Sequence, residues 1–410
     1  MKDIIPEQLS SLAQAFPVPL YAVGGAVRDH IAGLKPLRGR DWDICAPLPP
    51  EAARAAAASG GFSVEAEYPL TYSLVLRREG LRFQFTSFRT DSYGAGGHSP
   101  ASVRLTDDIR LDAARRDFKC NAVYYDISRG QYADPLNGRA DISDRLLSPC
   151  APPESLFADD PVRILRMARL CGELGFSPSA DCLPAARGAA GRLRHISRAW
   201  VYKELSGMLS ADEKYGVAGG CARALGILCD VGAMPYLFNG LSGDALDAAV
   251  RAASAAPAGL RLAALIAPLG AEEAGNTLAG MPLPARVRER TLRLISLAEG
   301  GDGGSVRAFL QRCGGDAPDV VDLASALSLS RAEEWREELA AMRAAGVPFG
   351  ISRLAVGGGD LAAAGVPAAS IGAALAGLLE ECAAQPSLNE RGTLIALAVR
   401  RFSGGKGGGK

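Results

Sequence analysis

The chain has 410 residues, 48% of them hydrophobic and 22% charged, which suits a protein of two to four structural units with a sizeable buried core. Its 45 Lys and Arg balance 45 Asp and Glu, so any basic surface must come from placement rather than total charge. No apolar run approaches ~20 residues and no basic-then-apolar leader opens the sequence, so neither a membrane span nor a secretion signal is expected.

Residues 18–126 read as mixed strands and helices. Leu20–Val23 is a short apolar strand ending at Gly24-Gly25, and a helix follows from Ala26 to about Ala32, closed by Gly33. Asp41-Trp42-Asp43-Ile44 reads as the next strand, and Pro49-Pro50-Glu51 opens an alanine-rich helix to Ala58. Ser73–Arg77 and Leu81–Phe88, with Glu79-Gly80 between them, carry a hairpin signature. Ser92–Ser102 is rich in Gly, Ser and Pro and reads as a mobile loop. After Asp159-Asp160-Pro161 the period changes, and Ile164, Leu165, Ala168 and Leu170 begin a helical pattern. From there on the sequence shows helices and turns without a convincing strand. The expected fold is therefore α+β: a mixed head (1–126), then a helical neck (127–197), body (198–300) and tail (301–402). Residues 403–410, rich in Gly and Lys, are expected to be disordered.

The nine cysteines form no C-x-x-C pair, so reduced thiols in a cytoplasmic protein are expected rather than disulfides or zinc. His30, His98 and His195 are the only histidines, and no His-Asp doublet occurs. In the head, Gly24-Gly25-Ala26-Val27-Arg28-Asp29 stands between strand and helix, where glycines let backbone amides approach a phosphate and Arg28 adds a planar fork of donors. The same residues also fit a plain tight turn. Asp41 and Asp43, two apart on a strand, face one side. Two such carboxylates repel unless a cation lies between them, and Mg²⁺ takes oxygen ligands from such a pair plus substrate phosphates. A solvated acidic loop is the other reading. Arg163, Arg166 and Arg169 are spaced by three, so they lie on neighbouring parts of one helix face, with Asp160 one turn earlier. That stripe suits phosphates and base edges, although intrahelical ion pairs on a solvated face give the same pattern.

Taken in order, GGAVRD (24–29), DWDIC (41–45), FRTDSY (88–93), RRDFKCNAV (115–123), DPLNGR (134–139) and DDPVRILRMARLCGELGF (159–176) resemble the class II tRNA nucleotidyltransferase and bacterial poly(A) polymerase family. The resemblance covers roughly the first 200 residues. It implies a polymerase-β-like nucleotidyltransferase head in which Asp41 and Asp43 are the catalytic residues and bind Mg²⁺. It implies that Gly24, Gly25 and Arg28 meet the incoming triphosphate, and that Arg116, Asp160, Arg163, Arg166 and Arg169 surround the nucleotide. Asp160 and Arg163 correspond to the pair that reads the base edge, and Asp91–Ser102 to the flexible element implicated in switching from C to A addition. In the tail, Gly358-Gly359-Asp360-Leu361, Ile371-Gly372, Leu375, Leu378-Leu379 and Asn389-Glu390 resemble the C-terminal element of CCA-adding enzymes.

The implied activity is Mg²⁺-dependent addition of C, C and A to the 3′ end of tRNA from CTP and ATP, with tRNA as partner and no membrane role. A sibling of restricted specificity (A-adding, CC-adding or poly(A)-forming) and a catalytically weakened RNA-binding paralogue are the alternatives. Three departures bear on them. Gln84 stands where the family usually has Glu, Leu70-Thr71-Tyr72-Ser73 replaces a His-Gly-Thr-like segment, and Ala199-Trp200 replaces a Glu-Arg pair while Glu204 remains. Arg286, Arg288, Arg290 and Arg293, and Arg400, Arg401, Lys406 and Lys410, offer basic runs for RNA phosphates or simply solvated helix faces. Nothing in the sequence fixes an oligomeric state.

Overall fold

In the computed structural model, residues 1–35, 42–94, 100–302 and 304–402 are described; Asp41 and the Gly/Lys-rich residues 403–410 lie outside them. The chain forms two compact units. One comprises Met1–Leu246 with Ala279–Pro282, and the other holds the rest.

The first unit begins with α1 (Glu7–Ala15), β1 (Tyr21–Val23), α2 (Gly25–Ile31), β2 (Trp42–Ala46) and α3 (Pro50–Ser59). It continues with β3 (Ser63–Tyr68), β4 (Ser73–Arg78), β5 (Leu81–Ser87), β6 (Arg89–Ser92), β7 (Ser102–Leu105), α4 (Ile109–Ala114), β8 (Tyr124–Asp126) and β9 (Gln131–Ala133). Seven of these strands form one sheet in the order β3-β4-β5-β2-β1-β8-β9. Only the central β2–β5 pair is parallel; the rest are antiparallel. The expected hairpin is β4–β5. Glu79 (φ 51°) and Gly80 (φ 80°) both take left-handed backbone there, as a two-residue turn matched to strand twist requires. Inward residues Leu74, Leu76, Phe83, Phe85 and Ile44 are buried, while the alternating Asp43, Arg82 and Gln84 are exposed.

The sheet runs on to Ala133, beyond the head boundary expected at residue 126. The segments on either side of the Gly130 turn are only three residues each, too short for their alternation to stand out. After α5 (Gly138–Asp144), the two-residue β10 (Leu146–Leu147) pairs with β11 (Ser177–Pro178), so the neck is not wholly helical. Between these strands lie α6 (Pro153–Asp159) and α7 (Val162–Leu174), and α8 (Cys182–Ala189), α9 (Arg198–Leu209), α10 (Ala211–Tyr215) and α11 (Gly220–Asp230) follow. Every residue of α7 except Arg166 and Arg169 is buried, which makes it the core helix of the neck, packed against α9, α10 and α11.

All described secondary structure in the second unit is helical. Trp335 is buried there against Phe309, and Leu361, Leu375, Leu378 and Leu394 form a separate core toward the end of the chain. Among the described residues, no helix is long and apolar enough to cross a membrane.

Candidate active site

β2 lies between β1 and β5, so Asp43 has Val23 on one side and Gln84 on the other in direct register. The Asp43 and Gln84 side chains are both exposed. Where β1 turns into α2, Gly24 takes φ 78°, and a Cβ at that position would stand 3.0 Å from Asp43 Oδ2. The carboxylate therefore lies against the bare backbone of the Gly24-Gly25 turn. A hard divalent cation of the Mg²⁺ type takes one or two carboxylates and completes its shell with water and substrate oxygens. The Asp43 carboxylate and the Gln84 amide oxygen fit that pattern. Among the described residues no cluster of three His, Cys, Asp or Glu forms, and Asp41 falls outside the described residues.

Two residues beyond Asp43, buried Cys45 marks where charged groups gather: Arg116, Asp112, Arg115 and Asp43 all act on its thiol, after the burial that dominates its upward shift. Asp112 is fully buried and accepts from Arg115 Nε at 2.9 Å, Arg116 Nη2 at 3.0 Å and the Tyr124 hydroxyl at 2.7 Å. Burial pushes its carboxyl up, but these partners outweigh burial and hold it down, at about 2. Arg163 Nη2 donates to the Arg115 carbonyl at 2.8 Å and to the Tyr93 hydroxyl at 3.2 Å, while its Nε lies 3.7 Å from Asp160 Oδ2. Asp160 and Arg163, the pair expected at the base edge, thus lie together, both buried, beside the Arg115-Arg116 segment.

Arg28, Arg166 and Arg169 are tied inward as well. Arg28, expected to face a triphosphate, is 3% exposed: Nε and Nη2 reach Asp29 Oδ1 at 3.0 and 2.6 Å, Nη1 reaches Asn121 at 2.7 Å, and Nη2 reaches the Tyr215 hydroxyl at 3.1 Å. The turn lays this residue under the site instead of presenting its fork outward. From Asn121 the contacts run to Asp117 and then Arg166. Glu204, 1% exposed, accepts from Arg169 Nε at 2.6 Å and lies 3.8 Å from Arg166. Arg169 also reaches Glu173, Lys214 reaches Glu173, and neighbouring Tyr215 returns to Asp29 at 2.7 Å. A circuit of buried and half-buried charges thereby joins α2 to α7, α9 and α10.

Sequence reasoning passed over Asp112, Asn121, Tyr124 and Tyr215. Asp112 carried a usable signal, because it sits three and four residues before Arg115 and Arg116 on one helical turn. Tyr215 carried none, being 187 positions from the Arg28 it contacts.

A pattern described as the poly A polymerase head domain matches residues 20–148. The CCA-adding enzyme of Geobacillus stearothermophilus is 32% identical over 278 residues, covering 65% of this chain and 63% of that protein. The multifunctional CCA protein of Laribacter hongkongensis (strain HLHK9) is 33% identical over 221 residues, covering 52% of this chain and 51% of that protein. The chain thus spans between half and two thirds of the length of these curated relatives. The crystal structure of the Bacillus stearothermophilus CCA-adding enzyme in complex with CTP superposes with a TM-score of 0.69 at 26% identity, covering 96% of this chain and 97% of that one.

An acidic strand set against a Gly-Gly turn, on a mixed sheet that feeds a helical remainder, defines a nucleotidyltransferase fold. The chain is similar to the class II CCA-adding and poly(A) polymerase family, most directly through its head.

Proposed function

We propose that this chain adds C, C and A to the 3′ end of tRNA, drawing the nucleotides from CTP and ATP and releasing pyrophosphate. The observation that carries this reading is the Asp43 carboxylate lying against the Gly24 backbone, in a chain similar along nearly its whole length to a CCA-adding enzyme. In each cycle the terminal 3′-hydroxyl loses its proton and forms a bond to the α-phosphorus of the triphosphate, while the bond from that phosphorus to the β-phosphate bridge breaks. Asp41 and Asp43 would hold Mg²⁺, which when bound supplies charge stabilisation at the phosphates.

The chain's own residues do the positioning. The amides of Gly24 and Gly25 approach the phosphates, since no side chain intervenes. Arg116, Arg166 and Arg169, each paired with a carboxylate, hold the helices around the nucleotide in place, with Arg28 holding the turn from beneath. Asp160 accepts and Arg163 donates at the base edge, so the protein chooses the base without a nucleic-acid template; each paired contact contributes ~1–3 kcal/mol of discrimination. The nine cysteines, which form no C-x-x-C pair, suit reduced thiols and a cytoplasmic setting.

The test is the 3′ sequence of products made from a tRNA transcript trimmed of its CCA end, given all four triphosphates. Products ending in CCA are expected. Runs of A, or extension by A alone, would replace this assignment with a sibling activity.

A further inference from the structure

The hairpin formed by β6 and β7 stands outside the main sheet, and its first strand leads straight into Tyr93. β6 is pinned by charge. Arg89 donates from Nε and Nη2 to the two oxygens of Asp91, at 2.8 and 3.2 Å, and from Nη1 to the Thr71 carbonyl. Asp91 is also 3.9 Å from Arg115. Tyr93 therefore leaves a fixed strand end and reaches the one arginine that the proposed function uses for base selection. Its ring centre lies 5.5 Å from the Arg163 guanidinium carbon, and its hydroxyl accepts from Arg163 Nη2. With the Arg115 carbonyl on the same nitrogen and Asp160 beside Nε, three contacts set the tilt of the guanidinium plane.

We propose that Tyr93 is a positioning residue for nucleotide choice, holding Arg163 at the angle from which it meets the base edge; this rests on the base-selecting role given to Arg163 above. With Nη2 donating to Tyr93 and Arg115 and Nε beside Asp160, Nη1 is the end left to meet a base, and its planar hydrogens are aimed at a base edge only while the guanidinium plane is held. The ring supplies a cation–π face and the hydroxyl supplies an acceptor, so the two parts can be removed separately. Burial pushes the Tyr93 phenol up against the pull of Arg163, so the hydroxyl stays neutral at pH 7 and remains an acceptor.

The experiment compares Tyr93→Phe and Tyr93→Ala with the unaltered chain. The readouts are kcat and KM for CTP and UTP on tRNA lacking CCA, equilibrium binding of each triphosphate by calorimetry, and the melting temperature. Tyr93→Ala is expected to lower the CTP-over-UTP preference about tenfold, through the KM ratio more than through kcat, with Tyr93→Phe between. An equal loss for both triphosphates would assign Tyr93 to packing and overturn the proposal, as would a preference unchanged in both variants. Should the unaltered chain bind CTP selectively without transferring it, the proposed function fails and the binding ratios alone decide the role of Tyr93. A chain without preference among triphosphates overturns both.

Discussion

Asp117 Oδ2 receives Arg166 from both Nε and Nη2, at 2.9 and 2.6 Å, so a head carboxylate and a neck guanidinium are locked together along one edge. Burial pushes the Asp117 carboxyl up, but Arg166, the Phe118 amide and Asn121 outweigh it and hold the group ionised, well below the carboxylate range. Removing one partner of such a pair leaves the other charge buried without its counterpart. Arg166 keeps about a third of its side chain in contact with solvent, which softens the penalty. Asp117→Ala is therefore expected to cost about 2–3 kcal/mol, and Asp117→Asn less. Urea unfolding measures this, and an unmoved midpoint would show that the pair contributes nothing net.

Asp112 makes stability depend on acid. Its carboxyl sits at about 2 in the folded chain, below the ordinary 3.8. A group depressed by folding stabilises the native state above its unfolded pKa and loses that contribution as pH falls through the folded value. The Asp112 share, on the order of 2 kcal/mol, is thus fully present at pH 6 and fades between about pH 4 and pH 2. Asp112→Asn should unfold more easily at pH 7 and show a flatter stability profile across that acid window. Parallel profiles for the two proteins would remove Asp112 as a source of the slope.

The strand that carries Asp43, the Gly-Gly turn, the hairpin and α7 were legible because each rests on local pattern: alternation, a turn pair or helical spacing. The same local logic read Arg28, Arg166 and Arg169 as phosphate ligands, whereas the folded chain ties them to Asp29, Asp117, Glu173 and Glu204. Local spacing tells which residues share a face but not what packs onto that face. Glu204 meets Arg169 only because α9 packs against α7, and Tyr215 meets Arg28 only because α10 follows α9. The strands β8 to β11 escaped for a different reason: each has two or three residues, so tertiary pairing and not propensity makes them strands.

Gln84 is the departure closest to the chemistry, facing Asp43 across the β2–β5 ladder. A carboxylate there would add a further negative charge next to Asp43, which raises cation affinity by Coulomb attraction and costs some stability without the cation. Gln84→Glu is expected to lower the half-saturating Mg²⁺ concentration for transfer about three- to tenfold, roughly 1 kcal/mol. The same variant should melt a little lower in EDTA and recover when Mg²⁺ is added. If the Mg²⁺ titration curves superimpose, the ion does not lie on this face of the sheet.

The Gly24 turn separates backbone strain from catalytic geometry. Its backbone sits at φ 78° and ψ −146°, a region almost closed to residues with a Cβ, and its neighbour in space is the Asp43 carboxylate. Gly80 also has a strongly positive φ, 80°, but a Cβ there would meet nothing within 4 Å. Alanine at either position should therefore cost about 1–3 kcal/mol of stability through backbone strain. Only Gly24→Ala should also press on Asp43 and shift the carboxylate that is to hold the metal. Transfer is expected to fall by about a hundredfold or more in Gly24→Ala and to stay near normal in Gly80→Ala. Pyrophosphate release measured well below both melting temperatures makes the comparison. Equal turnover in the two variants would mean that the closeness of Gly24 to Asp43 has no bearing on the reaction.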